Sequence, residues 1–264
     1  MLLRLKPIKI NFKILLLTKH KTYKLFKITN FMELILEEKP RNPIIIEGFP
    51  GFGFVSTITT EFLIEHLNAK LIGRLESDKL VPMVAVHNSE LVEPLGIFYD
   101  KKNNIIIFHA ITNVAGLEWE ISAMLTNLAK ELKAKQIITL EGVASPSEQE
   151  RAFYFTNNSN IETKIKKIKL EPLKEGIIMG VTGALLLKSS VPVVGLFAET
   201  HSNLPDSRAA AKLIEVLDKY LNLKVDYKPL LAKAEQFEAK LKSLMEQQTK
   251  AQEQKEKKEL TYFG

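Results

Sequence analysis

The spacing of apolar residues changes along the chain, and each change marks an element. Pro43–Glu47 is an unbroken β-branched run, as in a strand buried on both faces. Val55, Ile58, Phe62 and Leu67 then return at helical spacing, predicting a helix over Val55–Leu67. Between them lies a turn carrying Gly48, Pro50, Gly51 and Gly53. Strand, glycine turn and helix form the opening unit of an α/β domain.

The alternation continues downstream. Lys70–Leu75, Met83–His87, Gly96–Tyr99 and Asn104–Ala110 read as strands, the last two joined by a hairpin turn at Lys101–Asn104. Leu117, Ile121, Met124, Leu125, Leu128 and Leu132 share one face of a helix over Leu117–Leu132. Gln136–Glu141 and Ala152–Thr156 are strands, and residues 157–175 are a polar excursion with a short helix. Ile177–Leu187 begins at a strand end and passes Gly180 and Gly183 into a helix. Val191–Glu199 is the last strong strand, and Ser207–Leu221 is a helix. This order predicts a mainly parallel sheet covered on both faces, with an antiparallel part near residues 95–110.

The pattern also divides the chain. Residues 32–227 form the α/β body. Leu230, Ala234, Phe237, Leu241 and Leu244 keep coiled-coil spacing, predicting an amphipathic helix over residues 228–247. Residues 248–264 read as a flexible polar tail ending in Leu260-Thr261-Tyr262-Phe263-Gly264. Exposed aromatics on a mobile end suit docking to a partner. In residues 1–31 lysines interrupt every apolar run, unlike a signal peptide. That segment reads as a basic, loosely ordered extension upstream of a natural beginning at Met32, with a membrane-surface arm as the alternative.

Charge sharpens this division. The net charge is +6, but residues 1–31 hold eight Lys/Arg and no Asp/Glu. Taking those eight from the 37 basic residues leaves 29 against 31 acidic ones. The body is near neutral and lacks the electrostatic footprint of a nucleic-acid binder. No run is long and apolar enough to span a membrane. There is no cysteine, which removes thiol chemistry and Cys-ligated zinc and fits a cytoplasmic protein.

Several constellations could carry chemistry. Gly48-Phe49-Pro50-Gly51-Phe52-Gly53 sits where a phosphate loop would. No Lys-Ser/Thr follows it, and Ser56 stands where a third dinucleotide-loop glycine belongs. Two readings stand: a structural turn or interface surface, and a ligand loop. Ser56 or Thr57 would cap the following helix. Gly180 and Gly183 form a second cluster, and both clusters could line one crevice at the C-terminal sheet edge. Glu141 and Glu199 close predicted strands, with His201 and Asp206 beyond, where acid–base groups would sit. The five histidines show no metal-ligand spacing, and His87 and His109 read as structural. Trp119 lies off the apolar face of its helix, as an interface anchor would.

Four segments in order carry a family resemblance: IIIEGFPGFGFVS, EGVASPSEQERAFYFTNN, GIIMGVTGALLL and VPVVGLFAETHSNLPDSRAAAKLIEVLDKYL. Across residues 32–227 they resemble the proteasome assembly chaperone family of the second type, and its archaeal homologues above all. The resemblance implies a three-layer α/β sandwich similar to nucleoside phosphorylases, without catalysis or cofactor. It also implies homo-oligomers that bind proteasome α subunits independently of ATP. Such proteins insert a hydrophobic-Tyr-any C-terminal tripeptide between α subunits. Here the end is Tyr262-Phe263-Gly264, with Leu260 just upstream, so Phe replaces the penultimate Tyr. Phe263 keeps the ring and loses the phenolic hydroxyl, while the terminal carboxylate can still pair with a lysine. A small-molecule or nucleotide-binding enzyme using the glycine loops is the alternative.

Overall fold

The computed structural model describes residues 23–29, 32–80, 82–87, 90–145, 150–201, 204–232 and 243. In chain order the strands are β1 (Tyr23–Thr29), β2 (Met32–Leu36), β3 (Ile44–Gly48), β4 (Lys70–Ser77), β5 (Ala85–His87), β6 (Glu90–Val92), β7 (Leu95–Asp100), β8 (Ile105–Ala110), β9 (Gln136–Ala144), β10 (Ala152–Thr156), β11 (Glu171–Pro172) and β12 (Val193–Thr200). The helices are α1 (Val55–Leu67), α2 (Glu118–Glu131), α3 (Ser159–Lys167), α4 (Gly180–Lys188), α5 (Ser207–Leu221) and α6 (Lys228–Ala232).

Ten strands form one sheet in the order β1-β2-β4-β7-β8-β3-β9-β12-β10-β11, while β5 and β6 make a separate hairpin. The parallel set is its centre, β8, β3, β9 and β12. Antiparallel strands extend it on both sides, through β7, β4, β2 and β1 on one and β10 on the other. The parallel centre follows from the isoleucines: Ile45 and Ile46 of β3 pair with Ile106 and Ile107 of β8 and with Ile137 and Ile138 of β9. Such strands can only be buried on both sides.

Alternate residues therefore feed two cores. Ile46, Ile138 and Val194 join α1, α3 and α5 on one face. Ile45, Ile137 and Val193 join α2 and α4 on the other. The result is the expected three-layer α/β sandwich. Each fully buried Ile or Leu side chain contributes about 1.5–3 kcal/mol of transfer free energy.

Several local expectations change. Part of the basic extension is ordered, since Tyr23–Thr29 pairs antiparallel with β2 as the outermost strand. A free edge at β2 accepts any adjacent extended segment, whatever its charge pattern. No strand immediately precedes α4, and residues 176–179 are irregular. The strand expected over Met83–His87 shrinks to β5. Of the coiled-coil seam only the start, α6, is described, and residues 248–264 lie outside the described residues. Among the described residues no helix is long and apolar enough to cross a membrane.

Candidate functional site

A cleft of about 400 Å³ opens at the C-terminal edge of the parallel strands. The turn after β3 supplies Phe49, Pro50, Gly51 and Phe52. The other side is built by Ile177, Ile178, Met179 and the start of α4, with Glu118 on α2 and Glu141 on β9. The two glycine clusters thus meet at one crevice. Gly51 and Gly180 line it, whereas Gly48, Gly53 and Gly183 lie behind the walls.

Those three glycines are there for packing. A Cβ on Gly48 would stand 2.4 Å from the Thr60 side chain. One on Gly183 would be 2.8 Å from the Ile178 carbonyl. Gly53 has φ +66 and touches Thr200, so it needs both the missing Cβ and the left-handed backbone. Ser56 and Thr57 do not cap α1, whose N-cap is Phe54 in the left-handed region. The Ser56 hydroxyl donates instead to the Phe49 carbonyl, fastening the turn to the helix, and Thr57 donates to Ala110. The turn is therefore tightly packed, and one side of it is also a cleft wall.

The floor is Glu141, with Glu47 buried behind it as the second member of a carboxylate pair. Strand alternation places Glu47 on the same sheet face as Ile45, and Glu141 on the same face as Ile137, both toward α4. There the Thr182 Oγ1 lies 2.8 Å from Glu141 Oε1 and 3.2 Å from Glu47 Oε1. One hydroxyl has one proton to give. The shorter contact takes it, so Glu47 completes the chain when its own carboxyl is protonated and donates to Thr182. Burial pushes Glu47 well above the usual carboxylate range, and the Glu141 charge adds to the rise. Burial likewise pushes Glu141 up to about 7, against the Thr182 hydrogen bond. Both shifts favour a shared proton in the pair, with Thr182 as the bridge between the two carboxyls. Thr139, on the same sheet face, is fully buried and its hydroxyl has no hydrogen-bond partner among the described residues.

The other sequence candidates are occupied elsewhere. Glu199 takes two hydrogen bonds from Arg151, at 2.9 and 2.7 Å, which hold its carboxyl below the usual range. Asp206 caps α5 by accepting from the Arg208 and Ala209 amides, and it accepts from Thr200 Oγ1 at 2.7 Å. His201 reaches the Ser145 carbonyl. His109 is buried between Thr60 and Glu61 as a structural residue. Trp119 is half-exposed, with the Lys188 ammonium 4.3 Å from its ring centre. Among the described residues no cluster of His, Asp and Glu could hold a metal ion.

Comparison with known proteins adds ancestry to this geometry. The PAC2 family model matches residues 45–245. The chain belongs to the PAC2 family. An uncharacterised protein of Methanocaldococcus jannaschii is 32% identical over 215 residues, spanning 79% of this chain and 88% of that one. The crystal structure of Pyrococcus furiosus PbaA, an archaeal homolog of proteasome-assembly chaperone, matches with a TM-score of 0.76. It is 32% identical, and the match covers 84% of this chain and 99% of PbaA. Pyrococcus furiosus PbaB, an archaeal proteasome activator, matches at 0.66 and 22% identity over 82% of this chain and 100% of PbaB, a likeness of fold.

Within this PAC2 fold, Glu47 and Thr182 are the site residues that sequence reasoning passed over. The signal for Glu47 was present: a lone charge closing a β-branched run must be buried with it. Thr182 gave none, because it lies 135 residues from Glu47 and only the topology joins them.

Proposed function

We propose that this protein is an ATP-independent proteasome assembly chaperone or proteasome-binding factor, acting as a homo-oligomer that engages proteasome α subunits through its C-terminal tail. The observation that carries the reading is the likeness to PbaA, in sequence and in fold, over most of both chains. The end of the sequence supplies a device suited to it. EQQTKAQEQKEKKE, residues 246–259, is a polar tether, and Leu260, Tyr262, Phe263 and Gly264 are the docking group. Several tails on one oligomer would bind a ring of α subunits by avidity, so each contact can be weak. The Gly48–Gly53 turn and Gly180–Gly183 segment are a second surface that could face the partner.

Removing Tyr262–Gly264 from the full chain should abolish pull-down of α rings, and replacing Phe263 by Tyr should strengthen it. Undiminished capture by the truncated chain would refute the tail mechanism. The alternative of a nucleotide enzyme is disfavoured by the cleft itself, whose lining among the described residues has two carboxylates and no Lys, Arg or His to hold a phosphate.

A further inference from the structure

The cleft floor is acidic, and among the described residues no side-chain cation lines it. Neither Glu47 nor Glu141 pairs with a Lys, Arg or His among the described residues, and the walls hold Glu118 and Glu141 without a basic side chain. By contrast, the recessed Glu199 carboxylate is paired with the Arg151 guanidinium. The rest of the lining is mostly apolar and partly aromatic, with Phe49, Phe52, Val114, Ile178 and Met179 on its walls and Asn113 as a polar side chain. Its volume is that of a small-ligand site.

Gly51 keeps the floor open. A Cβ there would stand 2.9 Å from Glu141 Oε2, the carboxylate oxygen that Thr182 does not hold. Yet Gly51 has φ −137, which any residue adopts, so the turn does not need glycine for its backbone. The amide end of α4 also reaches the cleft at Gly180 and would by itself favour an anion. Two carboxylates and the absence of any basic side chain outweigh it.

We propose that this cleft binds a small organic cation, an amine or amidine on a flat apolar body, with Glu141 as the residue that receives its N–H groups. The ring would lie against the Phe49–Phe52 turn and Met179. A burial-matched cation recovers the Coulomb energy that the pair lacks on its own. This site is separate from the tail and does not depend on the assembly reading.

The test is calorimetric titration of the full chain with benzamidine, its neutral analogue benzamide, benzoate and ATP. Benzamidine should bind at least ~10-fold more tightly than benzamide, a factor equal to about 1.4 kcal/mol. Benzoate and ATP should give no heat at the cleft. Glu141→Gln, uncharged and of the same shape, should weaken benzamidine at least ~10-fold with the melting temperature maintained. Gly51→Ala should weaken it less, by crowding Oε2. The wild-type affinity should fall between about pH 8 and about pH 6 as the floor takes up a proton, and Glu141→Gln should flatten that profile. Among the described residues Glu47 shares Thr182 with Glu141 and Glu118 on α2 lines the same cleft, so Glu118→Gln serves to separate rim charge from floor charge. Equal affinity for benzamidine and benzamide, tighter binding of benzoate or ATP, no benzamidine heat up to ~10 mM, or an unaltered affinity in Glu141→Gln would overturn the proposal.

Discussion

Glu141 on β9 and Glu199 on β12 sit on neighbouring parallel strands near the same edge of the sheet, two register steps apart. They have been given opposite surroundings. Glu199 has a bidentate guanidinium, so ionisation is favoured. Glu141 has one hydroxyl, a second buried carboxyl and an apolar cleft, so ionisation is resisted. The same side chain thus becomes a structural clasp on one strand and a proton-holding floor on the next. By register both point to the same face of the sheet, so what decides between them is how far along its strand each sits and which side chain reaches it, Thr182 for one and Arg151 for the other.

The contrast predicts pH dependences of opposite sign. Glu141 and Glu47 have folded values raised above the ordinary 4.5. Their protonated forms stabilise the fold fully below that value. The contribution is lost as pH rises, through about 7 for Glu141 and through the raised value of Glu47. For Glu141 the loss is on the order of 3 kcal/mol at most, reduced by solvent in the cleft. Urea denaturation should therefore show stability falling over that window, and the double variant Glu47→Gln with Glu141→Gln should be flat there. A wild-type stability that rises through the window would break the comparison on its larger side.

Next in size is Thr182→Val, which keeps the shape of the side chain and removes the shared donor. It should cost about 2 kcal/mol near neutral pH, measured by the same denaturation. Asp206→Ala, which uncaps α5, should cost about 1 kcal/mol by the same measurement. Smallest is Arg151→Ala. The Arg151 side chain is half-exposed, so its loss should be a slight drop in melting temperature that shrinks further at high salt. For Glu199 the sign reverses: its contribution is present above 4.5 and lost as pH falls through its lowered folded value.

The elements of the body were legible because each rests on local periodicity. Val55–Leu67, Gln136–Glu141 and Ser207–Leu221 stand within a few residues of where their apolar spacing put them. The site was legible only in part. The glycine clusters marked the two rims of the cleft. They did not reveal that Glu141 would face Glu47, since that depends on β3 and β9 pairing in parallel register. Nor could spacing separate Glu141 from Glu199, because both close apolar strands and the difference lies in Arg151 and Thr182, distant in sequence. β1 escaped notice for a similar reason: an edge strand is specified by the vacancy beside it as much as by its own residues.

One helix carries a consequence for how the molecule assembles. α1 reads VSTITTEFLIEHL, with β-branched residues at 55, 57, 58, 59, 60 and 64 and a left-handed Phe54 in place of a capping side chain. Thr59 and Thr60 spend their hydroxyls on the carbonyls of Val55 and Ser56 one turn back. Such a segment is a poor nucleus for a helix, unlike α2 with its leucines, alanines and glutamates. Its order comes from being held between the parallel strands and α5. The early steps of folding should then belong to α2 and the β7–β8 hairpin, with α1 winding only as the central strands close beneath it. Pulsed amide exchange would see its protection arrive together with that of β3 and β9, and the cleft would be the last part of the body to take shape.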